Sequence, residues 1–215
     1  MISVRIKYAK GESVKYVSHL DTLKTFTRAA RRADLPLKYS QGFNPHPHMV
    51  FGLPSSVGII SVSEYADIDF EDGVTCQKIQ NGLNACLPDG FRVLDCYERE
   101  LKSNIMADIV ASEYVIYIKA GKTVLDIQDS ISHFISLPAV LVMKKSKKGE
   151  KETDIKPMIH FISAGEDNEG TYLITKIAAG NQVNLKPSLL IDAMNMHADA
   201  NIAIQQIIRT ELFLK

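Results

Sequence analysis

Residues 2–36 read ISVRIKYAKGESVKYVSHLDTLKTFTRAARRADLP, and a change of period inside them sets the fold class. Ile2, Val4, Ile6 and Tyr8 alternate with Ser3, Arg5 and Lys7, the two-residue period of a half-buried strand. Beyond Ser18 the apolar positions Leu20, Leu23, Phe26, Ala30 and Ala33 recur at helical spacing. Ser18 is an N-cap residue, Asp21 stands three positions on as in a capping box, and Leu35-Pro36 ends the helix. A strand leading into a capped helix opens the chain.

The same grammar continues downstream. Gly58–Phe70 reads as a strand, with Glu64, Asp67 and Asp69 forming a solvent face. A helix carries Ile79, Leu83, Cys86 and Leu87 up to Pro88-Asp89-Gly90, and Phe91–Tyr97 is another strand. Residues 99–108 are polar and weakly patterned, as in a linker. The order then restarts with Tyr114, Ile116 and Ile118, a second cap pair at Thr123 and Asp126, a helix to Pro138 and an apolar run at Ala139–Met143. A lysine-rich turn (144–152, KKSKKGEKE) precedes strands at Asp154–Ile162 and Tyr172–Ile177. A short helix opens near Pro187, and a last strand holds Ile208, Leu212 and Leu214 with Arg209 and Glu211 facing out. Each half reads strand–helix–strand–strand–helix–strand. The fold class is therefore α+β: two tandem ferredoxin-like (split βαβ) domains with antiparallel sheets, over 1–100 and 109–215.

Composition narrows the function classes. The 215 residues are 46% hydrophobic and 23% charged, which excludes a disordered, collagen-like or rod-like chain. Lys+Arg and Asp+Glu are both 25, but the balance is uneven. Residues 1–48 hold nine bases against three acids, and 49–100 hold nine acids against three bases. The N-terminal excess suits a face that meets phosphate or carboxylate. The opening residues lack the apolar block of a signal peptide, and the longest uncharged stretch, Ser130–Met143, is too short to span a bilayer. A cytoplasmic protein without a membrane partner is expected. Cys76, Cys86 and Cys96 are three, ten residues apart and outside any C-x-x-C. They suit neither a disulfide framework nor a zinc site, and they cannot supply the cluster-binding run of radical chemistry.

The chemistry concentrates in Tyr39–Ser56, YSQGFNPHPHMVFGLPSS. Pro45 and Pro47 fix φ and push Asn44 and His46 toward extended geometry, so a stiffened loop presents Gln41, Phe43, Asn44, His46 and His48. Three readings compete. His46 and His48 could begin a metal site with His19 or Asp21, could serve as base and acid on an RNA hydroxyl, or could be solvated loop residues. On the preceding helix Lys24, Arg28 and Arg31 or Arg32 line one flank, which suits bidentate capture of phosphate. Tyr16, Phe26, Tyr39, Phe43 and Phe51 lie close by, although the chain lacks the aromatic-rich strand signature of an RNA-recognition motif.

The segment 16–70 resembles the radical SAM-linked family of unknown function. The shared elements are S-H-L-D (Ser18, His19, Leu20, Asp21), R-A-x-R-R-A-x-L-P (Arg28 to Pro36), Y-S-x-G-F-N-P-x-P (Tyr39 to Pro47) and E-Y-x-D (Glu64 to Asp67). The second half is matched more loosely, chiefly near Thr153–Ile159. Lys24 stands where arginine is expected in relatives, and His48 where lysine or arginine is common. The resemblance implies a radical SAM protein as partner and no established activity. By coarse fold analogy, tandem ferredoxin-like domains are also similar to CRISPR endoribonucleases and some tRNA pseudouridine synthases.

The expectation is thus an accessory module that binds RNA (tRNA or rRNA) or another anionic partner, with no cofactor and no metal. Its surface would be lined by His19, Asp21, Arg28, Arg32, Tyr39, Gln41, Phe43, Asn44 and His46. Arg28 and Arg32 would hold phosphate, Phe43 would stack, and Gln41 and Asn44 would hydrogen-bond. Two alternatives stand beside it: a metal-independent RNA-processing or RNA-modifying enzyme using His46 with His19 or Asp21, and a scaffold that docks a radical SAM enzyme.

Overall fold

The structure, a computed structural model, describes residues 1–100, 104–146 and 149–215. It is a mixed α+β protein whose paired strands are mostly antiparallel, with five α-helices among the described residues. The chain divides into two compact units, residues 1–110 with 211–215, and residues 111–210.

The first unit contains β1 (Ile2–Lys10), α1 (His19–Arg32), β2 (Met49–Gly52), β3 (Ile60–Phe70), α2 (Cys76–Cys86), β4 (Phe91–Glu98) and the single turn α3 (Ile105–Asp108). Strand order is β4-β1-β3, with β2 also on β3, and every one of these pairs is antiparallel. The even positions of β1 and β3 meet the helices. Val4, Ile6, Tyr8, Ala66, Ile68 and Phe70 form one core with Phe26, Ala29 and Ala30 of α1 and Ile79 and Leu83 of α2. The Ser18 cap is as the sequence predicts: its hydroxyl accepts from the Asp21 N–H and donates to the Asp21 carboxylate. Leu20 departs from the predicted apolar stripe. It is exposed, and Thr22 holds the buried position, because the face that meets the sheet runs through residues 22, 26, 29 and 30.

Residues 99–108 are also more than a linker. Within them 101–103 lie outside the described residues, but Asn104 caps α3 and Ile105 is wholly buried. Ile105 lies so close over Gly52 that a Cβ there would stand 2.3 Å from its Cγ1.

The second unit contains most of β5 (Ile109–Ala120), then α4 (Val124–Ser136), β6 (Leu141–Ser146), β7 (Gly149–Asp154), β8 (Ile159–Asp167), β9 (Gly170–Ala178), α5 (Pro187–Ala198) and β10 (Ile202–Leu214) through residue 210. Its strand order is β10-β5-β9-β8, and both helices pack on one face through Ile127, Ile131, Phe134, Leu190 and Met194. The apolar run at 139–143 feeds β6, which pairs with β7 in a separate hairpin and is not a strand of the main sheet. Residues 147 and 148 of the lysine-rich turn lie outside the described residues. The strand predicted at Asp154–Ile162 is two elements. The Asp154 carboxylate accepts from the Val140 and Lys156 N–H groups, and Pro157 sits in a short 3-10 turn before β8 starts.

Two further expectations are overturned at the last strand. Arg209 does not face out: it is buried, with its guanidinium over the Tyr114 ring. Glu211 is tied inside the first unit, accepting from the Lys7 ammonium (2.7 Å) and the Ser63 hydroxyl. Residues 211–215 therefore belong to the first unit, unlike the expected partition into 1–100 and 109–215.

Burial alone would raise the Glu211 carboxyl, but the bonds from Lys7 and Ser63 outweigh it and hold the group below the usual glutamate value. A carboxyl whose folded value is depressed stabilises the fold above its unfolded value, and that contribution disappears as the pH falls through the folded one. Urea midpoints should therefore fall as the pH drops below about 4.3, the ordinary glutamate value. Glu211→Gln should lower the midpoint at neutral pH and flatten this acid limb, and an unchanged limb would count against the assignment.

Candidate functional site

The proline-braced segment is a small hairpin rather than an irregular loop. The Ser40 N–H donates to the His46 carbonyl, the His48 N–H donates to the Lys38 carbonyl, and Tyr39 bridges to Pro47. Proline can occupy that bridge because it still offers a carbonyl. The base of the hairpin lies along β3, with Lys38 N–H donating to the Asp69 carbonyl and Asp69 N–H to the His48 carbonyl. Gln41, Phe43, Asn44 and Pro45 form its exposed tip, where Gly42 takes φ +124°. Phe43 is fully exposed.

Helix α1 and this segment are neighbours at two places. Arg31 donates from Nε to the Tyr39 hydroxyl (3.0 Å), with its guanidinium 5.6 Å from the ring centroid. At the opposite end of the helix the His19 ring meets the edge of Phe51, centroids 5.5 Å apart. The predicted lining residues thus fall into groups. Tyr39, Gln41, Phe43, Asn44 and His46 share the hairpin, and Arg31 binds it. Arg28 is exposed on the helix. His19 and Asp21 sit in the first helical turn, where Asp21 belongs to the cap, and hydrogen bonds from Ser18 and Lys24 hold its carboxyl below the usual range. Arg32 turns away and donates to the Cys86 carbonyl at the end of α2. The helix wheel separates Arg31 from Arg32 by 100°, enough to send one to the hairpin and the other to the second helix.

The two imidazoles also differ. His46 is exposed, and it is its backbone N–H, not its ring, that donates to the Ser40 hydroxyl. His48 places Nδ1 3.3 Å from Asp69 Oδ2, which directs Nε2 outward. Among the described residues no three His, Cys, Asp or Glu side chains are grouped to hold a metal ion.

The strand carboxylates expected at the solvent face are inside. Glu64 is 1% exposed and Asp67 5%. Asp67 accepts from Arg5 through both oxygens (2.7 and 3.0 Å) and from the Ile105 N–H (3.1 Å). Arg5 also pairs with Asp108 at 2.9 Å. Arg99 stands 3.7 Å from Asp67 and 3.2 Å from Asp69, which reaches His48. Burial would lower the Arg5 guanidinium, but Asp67 and Asp108 more than offset it and push its pKa up. Charges of alternating sign thus run from under α3 to the hairpin base. The available signal was cross-strand: Arg5 and Asp67 are register partners, and an opposite-charge pair facing a covering turn is held inside. Lys10 is buried as well, donating to the Val17 carbonyl (2.8 Å). The N-terminal excess of bases is smaller on the surface than in the sequence.

Residues 3–187 match the model of a family described as an uncharacterized protein conserved in bacteria. The chain belongs to that family, DUF2344. What the match shows is the DUF2344 family, not a partner. No curated protein matches the chain. Among solved structures, a chain from the crystal structure of a Cbf5-Nop10-Gar1 complex is similar at TM-score 0.51 and 11% identity. The alignment covers 100% of this chain and 50% of that one, so this DUF2344 chain spans half the length of that neighbour. Such a likeness concerns the fold alone. A second match, an unknown protein from Galdieria sulphuraria, is 11% identical over 97% of this chain and 98% of the other, at TM-score 0.28. No described helix is long and apolar enough to cross a membrane.

Proposed function

We propose that the face formed by α1 and the 38–48 hairpin binds RNA, and that the protein serves as an accessory module. The observation that carries this reading is the exposed Phe43 at the tip of a hairpin whose base is bound by Arg31. An aromatic ring without neighbours is available to stack on a base, and Arg28, Arg31 and Lys24 can meet phosphates along the flank. Gln41 and Asn44 offer donors and acceptors beside the ring, and His19, Asp21 and Tyr39 position the two ends. Arg32 has a structural partner and is not assigned to phosphate. Partnership with a radical SAM protein rests on the motif resemblance of residues 16–70, and a cytoplasmic setting on the three free cysteines. The finer fold reading, two ferredoxin-like domains, is supported by the strand orders β4-β1-β3 with β2 outside, and β10-β5-β9-β8. These match one another once the β6–β7 hairpin is set aside.

Filter binding of total tRNA across a salt series tests the proposal. Affinity should fall steeply as salt rises, and Arg28→Ala with Arg31→Ala should lower the salt slope by about 1 per phosphate contact removed. Phe43→Ala should weaken binding by about 1–3 kcal/mol. Retention that ignores salt, or variants that bind like the wild type, would sink it. A second reading, RNA processing, draws on His48, whose Nδ1 is oriented by Asp69 as in a general base. It requires RNA products that disappear in His48→Ala.

A further inference from the structure

The second unit presents a sheet face that neither of its helices touches. Tyr114, Ile116 and Ile118 of β5 and Leu173 and Ile177 of β9 point to α4 and α5 and are buried. Alternation puts their neighbours on the other side, and the register sets those neighbours in rows: Tyr117 opposite Tyr172, Val115 opposite Ile174, Glu113 opposite Lys176. On β8, Phe161 lies beside Lys176 and Gly165 beside Tyr172. The two tyrosines sit on the two inner strands of the order β10-β5-β9-β8, rings edge to face at 5.9 Å. Phe161 is half exposed.

Tyr172 lies down on the sheet. A Cβ at Gly165 would stand 2.7 Å from the Tyr172 ring carbon Cζ, so the ring covers the glycine and turns its other side outward. Two carboxylates of this face are engaged internally, Glu113 accepting from the Thr210 hydroxyl (2.8 Å) and Asp167 from the Tyr117 hydroxyl (2.9 Å), and Glu169 also lies near Tyr117. Lys119, two residues beyond Tyr117 on the same face, is exposed.

We infer that this face is a stacking platform for single-stranded nucleic acid, with bases on Tyr172, Tyr117 and Phe161 and Lys119 reaching the backbone. The outward side of the flat Tyr172 ring, with the Tyr117 ring edge-on beside it, favours planar bases, since every base offers a π-face, and an exposed ammonium at the row's end suits a phosphate. The platform uses none of the residues of the α1–hairpin face, so either proposal can fail alone.

The test is fluorescence polarisation of labelled eight-residue oligo(U) and oligo(dT) with the full chain, at low salt and across a salt series. The chain has no tryptophan, so the share of tyrosine quenching lost in Tyr117→Phe/Tyr172→Phe reports stacking on this face. Tyr117→Ala and Tyr172→Ala should each weaken binding roughly 5- to 100-fold, with Tyr172→Phe close to wild type. Gly165→Ala should also weaken it by lifting the ring. Lys119→Ala should reduce the salt slope by about 0.7. Circular dichroism checks that each variant is folded. Should the alanine variants unfold, the quenching lost in Tyr117→Phe/Tyr172→Phe and the salt slope of Lys119→Ala decide. The inference falls if neither oligonucleotide binds, if binding leaves tyrosine emission unchanged, or if folded Tyr117→Ala/Tyr172→Ala binds like wild type. Loss of tRNA retention in Arg28→Ala/Arg31→Ala with oligonucleotide binding intact would bear on the first face only.

Discussion

Arg5→Ala should lower the unfolding free energy by about 3–5 kcal/mol, the largest electrostatic effect expected in this protein. The reason is what the substitution leaves behind. Asp67 is 5% exposed and would lose both of its Arg5 bonds, while Asp108 would lose its 2.9 Å partner. The Asp67 carboxylate would then face a poorly hydrated interior with Arg99 and the Ile105 N–H still beside it. Desolvation that the guanidinium had offset becomes a net cost. Arg5→Lys should recover only part of it, because an ammonium cannot form the two-pronged contact with Asp67. Urea midpoints at neutral pH measure both. A loss below about 1 kcal/mol would mean the pair is as weak as a surface salt bridge. Because the chain of charges continues through Arg99 and Asp69 to His48, Arg5→Ala should also loosen the hairpin base, read as faster amide exchange at His48 and Asp69.

Phe26→Ala should cost about 3–5 kcal/mol. Phe26 is wholly buried at the centre of an aromatic cluster, 4.9 Å from the Tyr8 ring, 5.7 Å from Phe51 and 5.8 Å from Phe91, centroid to centroid. Those partners come from three strands, so no single neighbour can move in to fill the space. Phe51 also carries His19 on its edge, which couples this cavity to the first turn of α1. Thermal unfolding followed by circular dichroism gives the loss, and Phe26→Leu should recover more than half of it by keeping most of the volume. A Phe26→Ala variant as stable as wild type would refute the packing described.

Both effects bear on what could be read from residues alone. Period and cap chemistry are local, and they located β1, α1, α2, α4 and both cap pairs. Burial of charge is not local. Arg5, Asp67 and Glu64 look like ordinary polar alternates. Only the register and the turn at Ile105 show that the face of Arg5 and Asp67 is covered, and Glu64, on the helix side with Tyr8, is held by the Ser55 N–H. The exposed bend at Phe43 is legible in the residues themselves, because proline and glycine act through their own dihedrals. The fastening of that hairpin along β3 runs through Asp69, more than twenty residues away, and no local pattern shows it. Arg31 and Arg32 are adjacent in sequence, and a contact with α2 decides between them. The second-unit rings are not legible in the sequence because Tyr117, Tyr172 and Phe161 come from separate strands, and no short motif joins them.

Because β10 ends among residues of the first unit, that unit is not continuous along the chain. On a ribosome, Glu211, the partner of Lys7 and Ser63, emerges only after the whole of 111–210 has been made. The N-terminal portion must wait, partly assembled, for its closing segment, and a fragment cut at residue 110 should fold less stably than the same residues within the full chain.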